Sequence, residues 1–526
     1  MTKVYYALSR KQDKLDSIIR CRSWHSFHVR SNMNRNNRIR PFPFASKSFS
    51  SDENPWSTLK DASGTTPTEN QLLHLARTTF LSLWSFPNVY TDEGRRSASS
   101  DGKELCDLMV VFGDDVLLFS DKNCAFPSIS DLNLAWSRWY RRAVEKSAKQ
   151  LAGAESWIRR FPNRIFLDAK CGKTLPVELP PLERRRVHLI AVAHGASDAA
   201  IKYWESFAPG SNGTPIIDTH LVGRQHEAKP FTVGWPLVNK RFVHVFDDHT
   251  ISLVLGELDT LSDFVNYLTK KQELFEKSSC EFLITGEEEL LATYLSSTDP
   301  KTKEHRFPTF PENHLVFLDE GNWSKLKSSV EYRARAAANE LSYLWDDLIE
   351  YQASHMMCGS SDFLAVAASK GSEEIVLRVM ASEKRMKRRI LGESIHYLRR
   401  KSNDLLRSTR SITDRHRRRV YAMLALPYFP EQPHDAYRNY RQHLLYVYCE
   451  GALLQFPEAE EIVGIAFENY DSDIFSADFL YIRTNGVQLE RADQAEIRTR
   501  LREHEIWNPS VISSEIRNDS EFPFTP

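Results

Sequence analysis

The sequence lacks the long apolar runs that mark membrane proteins. No window reaches the roughly 20 predominantly apolar residues that are needed to span a bilayer, so no membrane partner is expected. The first residues also lack the apolar core of a secretory signal. We therefore expect a cytoplasmic protein.

Cysteine is scarce and scattered. The seven cysteines form no Cys-x-x-Cys pair and have no histidine partner at zinc-ligand spacing. This pattern favours a reducing compartment and argues against a structural zinc site. A Walker-type phosphate loop is also missing from the sequence, which argues against an ATP-driven motor.

Net charge is nearly absent, but charge is segregated along the chain. The formal net charge is -1 over 526 residues, whereas residues 1–50 contain eleven Lys or Arg against two acids. Residues 381–420 contain fourteen against four. Basic blocks favour phosphate binding, although solvated helices can have the same composition. Nucleic acid is therefore the expected partner, DNA in preference to RNA, with a protein partner or self-association as the alternative.

The chain is long enough for several domains. With 41% hydrophobic residues it can bury more than one core. We expect a basic, disordered arm over residues 1–65 and an α/β domain over 66–205. A mixed α/β region should follow over 206–325, and a mainly helical basic region with late strands over 326–526.

The most informative segment is a hairpin between residues 105 and 122. Two runs rich in Val, Leu and Phe flank the polar turn Gly113-Asp114-Asp115, which is typical of antiparallel strands. If Asp114 and Asp115 form the loop, Asp107 pairs with Lys122 and shares its face with Ser120. A three-residue loop would instead pair Asp107 with Asp121.

Either register brings a carboxylate next to another polar group in an otherwise apolar hairpin. Asp is disfavoured in a central strand, so a chemical role for Asp107 is the better explanation. A divalent ion held by carboxylates polarises a phosphate, and a nearby Lys122 can orient or deprotonate the attacking water. The hairpin therefore favours phosphodiester hydrolysis.

This pattern of an Asp, a short hairpin and an acid close to a Lys resembles the PD-(D/E)xK nuclease superfamily, in particular its Mrr-like and NERD-like branches. The resemblance covers roughly residues 66 to 200 and implies a mixed α/β fold with a restriction-endonuclease-like αβββαβ core. Its elements would be a helix from Thr66, a strand at 86–91, the hairpin, a helix at 132–160 and a strand at 187–193.

The resemblance also implies a Mg²⁺- or Mn²⁺-dependent nuclease, with a defence or mobile-element role by analogy of fold. Asp107, Asp121 and Glu69 would bind the metal, Lys122 would orient or activate water, and Gln150 would assist. Two of these residues have equally good structural explanations. Glu69 lies three residues after Thr66, as in a capping box, and Gln150 can be satisfied within the core.

The sequence departs from the family pattern at one position. Ser120 stands where the family has the acid two residues before Lys122, and the carboxylate is displaced to Asp121. Three explanations stay open: a bulge turns Asp121 into the site, Glu69 or Glu104 compensates, or the site is degenerate. In the last case the fold would bind nucleic acid or a protein without cutting.

Overall fold

A computed structural model describes the backbone of strand β1 (Thr2–Ser9) and most of residues 54–522. The gaps in the latter range are 96, 98–99, 360–363, 366–371, 403–406, 415–417, 473–474, 485–488, 509, 511 and 518. The chain is a mixed α/β protein. Its first unit comprises 51–337 with 381–385, and its second combines parts of 1–50, 338–380 and 386–523.

The first unit begins with a helix, three strands, a long interrupted helix and a fourth strand, in the order expected from the sequence. These elements are α1 (Pro67–Phe80), β2 (Ser85–Thr91), β3 (Lys103–Phe112), β4 (Asp115–Asn123), α2 (Leu132–Tyr140), α3 (Lys146–Arg160) and β5 (Arg186–His194). Strands β2, β3 and β4 are antiparallel, and β5 lies parallel to β4.

The two helical segments pack on the sheet through apolar side chains. Helix α1 buries Leu72, Leu73, Ala76 and Phe80, which together form one face of the helix.

Between α2 and α3 the five residues Arg141–Glu145 adopt a π-helical turn. Such turns shift the helical face locally and are frequent near functional sites.

The first unit continues with further helices and strands from residue 197 onwards. Its elements are α4 (Ser197–Trp204), β6 (Ile216–Val222), β7 (Thr232–Trp235), β8 (His244–Phe246), α5 (Asp248–Glu257), α6 (Leu261–Lys277), β9 (Glu281–Ile284), α7 (Glu287–Leu295), β10 (Leu315–Leu318), α8 (Asn322–Ser328) and α9 (Val330–Asn339). Strand β8 pairs with β5. This pairing completes a five-stranded sheet, whereas β6, β7, β9 and β10 form a second, four-stranded sheet. The mixed α/β region expected over 206–325 thus has a sheet of its own and lies in the same unit as residues 66–205.

The second unit is built on a seven-stranded sheet. Its elements are α10 (Tyr343–Cys358), β11 (Leu364–Ala365), α11 (Ser372–Ala381), α12 (Arg385–Lys401), β12 (Arg407–Asp414), β13 (Arg419–Leu426), α13 (His434–Gln455), β14 (Glu461–Glu468), β15 (Ala477–Arg483), α14 (Arg491–Glu503) and β16 (Ile512–Arg517). The strand order is β11-β15-β14-β13-β12-β1-β16.

This sheet adds to one expectation and corrects another. The described part of the carboxyl-terminal region has more helix than strand, in agreement with the expected mainly helical region with late strands. Its strands form a single sheet, in which the polar strand β12 is an interior strand that buries Ser408 and Ser411. Their hydroxyls bond to the Leu398 carbonyl and to the Tyr448 hydroxyl, which replaces the apolar pattern of an ordinary strand. The expected arm at 1–65 contains β1, which pairs with β12 and β16, whereas residues 10–53 of that arm lie outside the described part.

Candidate functional site

The turn of the β3–β4 hairpin differs from both expected registers. Leu108 faces Phe119 and Phe112 faces Asp115, so Gly113 and Asp114 form the two-residue turn. The φ of Gly113 is +60°, a conformation that suits glycine in a tight hairpin turn. Extended by one residue, this register puts Asp107 opposite Ser120 rather than opposite Lys122 or Asp121.

Asp107 accepts two hydrogen bonds from the end of β4. The Lys122 Nζ lies 3.2 Å from Asp107 Oδ2, and the backbone N–H of Asp121 donates to the same oxygen at 2.5 Å. Asp107 is 3% exposed, whereas the Lys122 side chain retains 25% exposure. The expected association of Asp107 with Lys122 is thus present, with the lysine open to solvent.

The side chain of Asp121 lies on the opposite face of the sheet, which corrects its assignment as a metal ligand beside Asp107. Successive residues of a strand point to opposite faces, and no bulge in β4 reverses this. Asp121 Oδ1 lies 2.5 Å from Nε2 of His194, at the end of β5. Although burial lowers it, the hydrogen bond and charge of Asp121 raise the pKa of His194.

Glu104, rather than Asp121, is the acid that lies next to Asp107. Val89 pairs with Cys106 but Tyr90 pairs with Glu104, so Leu105 is an extra residue that forms a β-bulge in β3. The bulge brings Glu104 to the Asp107 face, where the two carboxyl groups interact through a hydrogen bond. Of the three explanations left open for Ser120, compensation by Glu104 agrees with this geometry.

The negative charges of Glu104 and Asp107 are close enough to repel each other. Desolvation, followed by the charge and hydrogen bond of Asp107, raises the pKa of Glu104 to about 7, while Lys122 lowers it. Like charges that share a site disfavour ionisation of one member. A cation placed between these carboxyl groups would relieve their repulsion.

Glu69 serves the cap of α1. Its Oε2 accepts from the backbone N–H groups of Thr65 at 2.7 Å and Thr66 at 3.2 Å, and the Thr66 hydroxyl accepts from the Glu69 N–H in return. This is the capping box that the sequence offered as the alternative. The charge of Glu69 still reaches Glu104 and contributes to its raised pKa.

Helix α3 covers the Asp107 face with small polar groups. The buried Ser120 hydroxyl lies 3.3 Å from Ser147 Oγ and 3.5 Å from Gln150 Oε1. Ser147 in turn donates to the Ala143 carbonyl at 2.7 Å. The structure thus brings Gln150 to the hairpin, as expected, together with Ser147, which lies on the same inward face of the helix.

No three His, Cys, Asp or Glu side chains converge on a metal-binding position in the part of the chain that the structure describes. The expected ligand set of Asp107, Asp121 and Glu69 is therefore not assembled. The pair of Asp107 and Glu104 is nevertheless compatible with Mg²⁺. This ion usually keeps several waters and takes only one or two carboxylates from the protein.

Several described basic residues of the block at 381–420 form ion pairs with acids of the same unit. In the first unit Arg385 pairs with Asp259 at 2.7 Å. In the second, Arg388 pairs with Asp346 and Arg419 with Glu461, at 2.5 and 2.8 Å. These three arginines stabilise the fold through ion pairs and are therefore not available to bind phosphate.

Comparison of the chain with family models, curated proteins and solved structures finds no match. Across the described residues, none of the helices combines the length and apolar content that crossing a membrane requires. The functional argument therefore depends on the hairpin itself.

Proposed function

We propose that the first unit is a metal-dependent nuclease of the PD-(D/E)xK type that hydrolyses phosphodiester bonds, with DNA as the preferred substrate. The observation that carries this proposal is the convergence of Glu104, Asp107 and Lys122 on one face of the sheet. The helix-strand order around them supports the same assignment.

Each residue of this trio has a chemical task. Asp107 and Glu104 would hold Mg²⁺ or Mn²⁺, which when bound polarises the scissile phosphate. Lys122 lies beside Asp107 and is partly exposed, so its ammonium group can orient the attacking water and stabilise negative charge on the phosphate. The water oxygen bonds to phosphorus as the P–O bond to the leaving oxygen breaks, the proton that the water loses passes to solvent, and the leaving oxygen takes up a proton from solvent. Gln150 and Ser147 hold Ser120 and thereby the end of β4.

The test is cleavage of plasmid DNA, single-stranded DNA and RNA by the full chain with Mg²⁺ or Mn²⁺. We expect Asp107→Asn, Glu104→Gln and Lys122→Ala to lose activity by about a hundredfold each, a size typical of catalytic groups. Asp114→Asn is the matched control, because Asp114 is an acid of the same hairpin that lies in its turn. Equal activity of all these variants would refute the site.

A second candidate function is a binding module without catalysis. It is favoured by Ser120, which occupies the acid position of the family and bonds to α3 instead of binding a metal. In this case the protein would bind DNA in a salt-sensitive manner but cut none of the three substrates. The Lys122→Ala variant would then weaken binding, and added metal would have no effect.

A further inference from the structure

A cleft of about 400 Å³ opens at the end of the five-stranded sheet where β5 begins. Its walls come from the last turn of α3, the segment that leads into β5 and the last turns of α6, all within the first unit. Its volume falls in the range of small-ligand sites. The cationic side chains that line it are Arg159, Arg185, Arg186, Arg241 and Lys277.

Three of these cations are paired with acids, one of them being Arg186, which makes two bonds to Asp115. Arg241 forms a two-bond ion pair with Glu155 at 2.8 and 2.6 Å, and Lys277 pairs with Glu273 at 3.0 Å. Arg159 shares the same Glu155 at the longer distance of 3.7 Å, and its side chain is 63% exposed. The guanidinium of Arg159 is therefore weakly held and faces solvent.

Arg185 is fixed in the cleft by neutral groups. Its Nε donates to the Pro180 carbonyl at 2.9 Å and its Nη1 to the Ile158 carbonyl at 2.7 Å. Burial and the neighbouring charge of Arg159 lower the pKa of Arg185. The guanidinium groups of Arg159 and Arg185 thus repel each other at one wall. An anion bound between them would attract both groups and offset this repulsion.

Arg186 and His188 form the floor of the cleft. His188 is 3% exposed and contacts Asp115 through Nε2 at 3.0 Å, while Arg186 makes two bonds to the same carboxylate. His188 Nδ1 is buried without a hydrogen-bond partner among the described residues. Because Nε2 faces a carboxylate, which only accepts, Nε2 carries the proton and Nδ1 of the neutral ring is an acceptor. His188 therefore shapes the floor of the cleft without donating to an anion.

The cleft is distant from the Asp107 site. Along the parallel pair of β4 and β5, Asp115 faces Arg186 at one end and Lys122 faces Ala193 at the other. Seven residues of extended strand separate these positions by roughly 23 Å. A ligand in the cleft therefore does not occupy the candidate catalytic site.

We propose that this cleft is an anion site that binds a phosphate group through Arg159 and Arg185, above a floor of Arg186 and His188. The phosphate belongs either to a free nucleotide or to a nucleic-acid backbone. Planar guanidinium groups recognise phosphate oxygens through paired hydrogen bonds. This site is independent of the proposed nuclease, because it requires neither metal nor cleavage.

Binding of ADP and of a fluorescein-labelled single-stranded 20-mer DNA to the full chain, both in EDTA, tests the proposal. The variants are Arg159→Glu, whose side chain is exposed, and Arg185→Gln, with thermal melts to verify folding. Arg160→Gln is the matched control, since Arg160 lies next to Arg159 on α3 but does not line the cleft.

We expect Arg159→Glu and Arg185→Gln to weaken binding of at least one probe about tenfold or more, with Arg160→Gln within about twofold of wild type. Weakening of ADP alone identifies a free nucleotide, and weakening of the 20-mer identifies backbone phosphate. If the folded Arg159→Glu variant binds both probes as well as Arg160→Gln does, the anion site is refuted. Absence of metal-dependent cleavage would refute the nuclease and leave this result unchanged.

Discussion

Asp121 holds Asp107 through its backbone while its own carboxylate lies on the other side of the sheet. The Asp121 N–H donates to Asp107 Oδ2 at 2.5 Å, and the Asp121 carboxylate bonds to His194 at 2.5 Å. One residue therefore links two networks that share no side chain. Substitutions of Asp121 and of Asp107 should have different consequences.

Asp121→Asn should retain nuclease activity within about threefold, because the backbone bond to Asp107 does not depend on the side chain. It should lower the stability of the first unit by about 1–3 kcal/mol, since His194 loses its charged partner. Parallel measurement of cleavage and of urea denaturation tests both effects. A loss of activity as large as that of Asp107→Asn would contradict the separation of the two faces.

Glu104→Gln should change how stability depends on pH in metal-free protein. The pKa of Glu104 is about 7 in the folded state, above its ordinary value of 4.5. The folded state thus binds the proton more tightly than the unfolded state, and this stabilisation is lost as pH rises from about 4.5 through 7. The variant lacks this loss.

Thermal melts in EDTA at pH 5 and pH 8 measure this effect. We expect Glu104→Gln to exceed wild type at pH 8 by less than about 1 kcal/mol, because solvent screens an exposed group. At pH 5, where only a small part of this stabilisation has been lost, the difference between the two proteins should be smaller than at pH 8. Glu93→Gln, an exposed acid paired with Lys103, provides the control. A difference that is the same at both pH values would contradict the raised pKa.

Ser120→Asp should install the acid that the family pattern places two residues before Lys122. Without metal, a third carboxylate near Asp107 and Glu104 should destabilise the protein by about 1–3 kcal/mol. With Mn²⁺, much of that loss should return, and cleavage at low metal concentration should rise. Melting temperatures with and without Mn²⁺ measure the response, with Ser120→Ala as the control. If Mn²⁺ stabilises the Asp variant no more than wild type, this face does not bind the ion.

Arg441→Met should strongly destabilise the second unit. Arg441 bonds to Glu468 Oε1 at 2.5 Å and to Asp478 Oδ2 at 2.6 Å, and all three side chains are 0% exposed. Loss of the cation leaves two buried carboxylates undercompensated, at a cost of about 3–5 kcal/mol. Hydrogen exchange of α13 amides measures the change. Arg498→Met, at an exposed position of α14, should leave exchange of α13 unaffected.

The sequence predicted the elements of the first unit well because their signals are local. The apolar stripe of α1 and the apolar runs of the hairpin depend only on residues close in the chain. The side-chain partner of Asp107 was not predictable in the same way. Its position depended on whether the turn used Gly113-Asp114 or Asp114-Asp115, and a one-residue difference changes the pairing of the whole strand.

The second unit was harder to predict because its signals are not local. Strand β12 has few apolar residues, and its place in the sheet depends on pairing with β1, some 400 residues earlier in the chain. The basic composition around α12 was similarly ambiguous. Its arginines find buried acceptors such as Asp346, which no spacing rule indicates.

The extra residue Leu105 has a consequence for how sites of this kind are recognised. Searches that count positions along one strand require an acid at a fixed distance before the lysine. Here Glu104, on the neighbouring strand β3, lies on the face of Lys122, because the extra residue Leu105 reverses which face of the sheet the Glu104 side chain points to. Removal of Leu105 should turn Glu104 away from Asp107 and separate the two acids, although neither acid is itself substituted. An insertion in a strand can therefore bring an acid to a lysine from a different strand, where a motif read along one strand is absent.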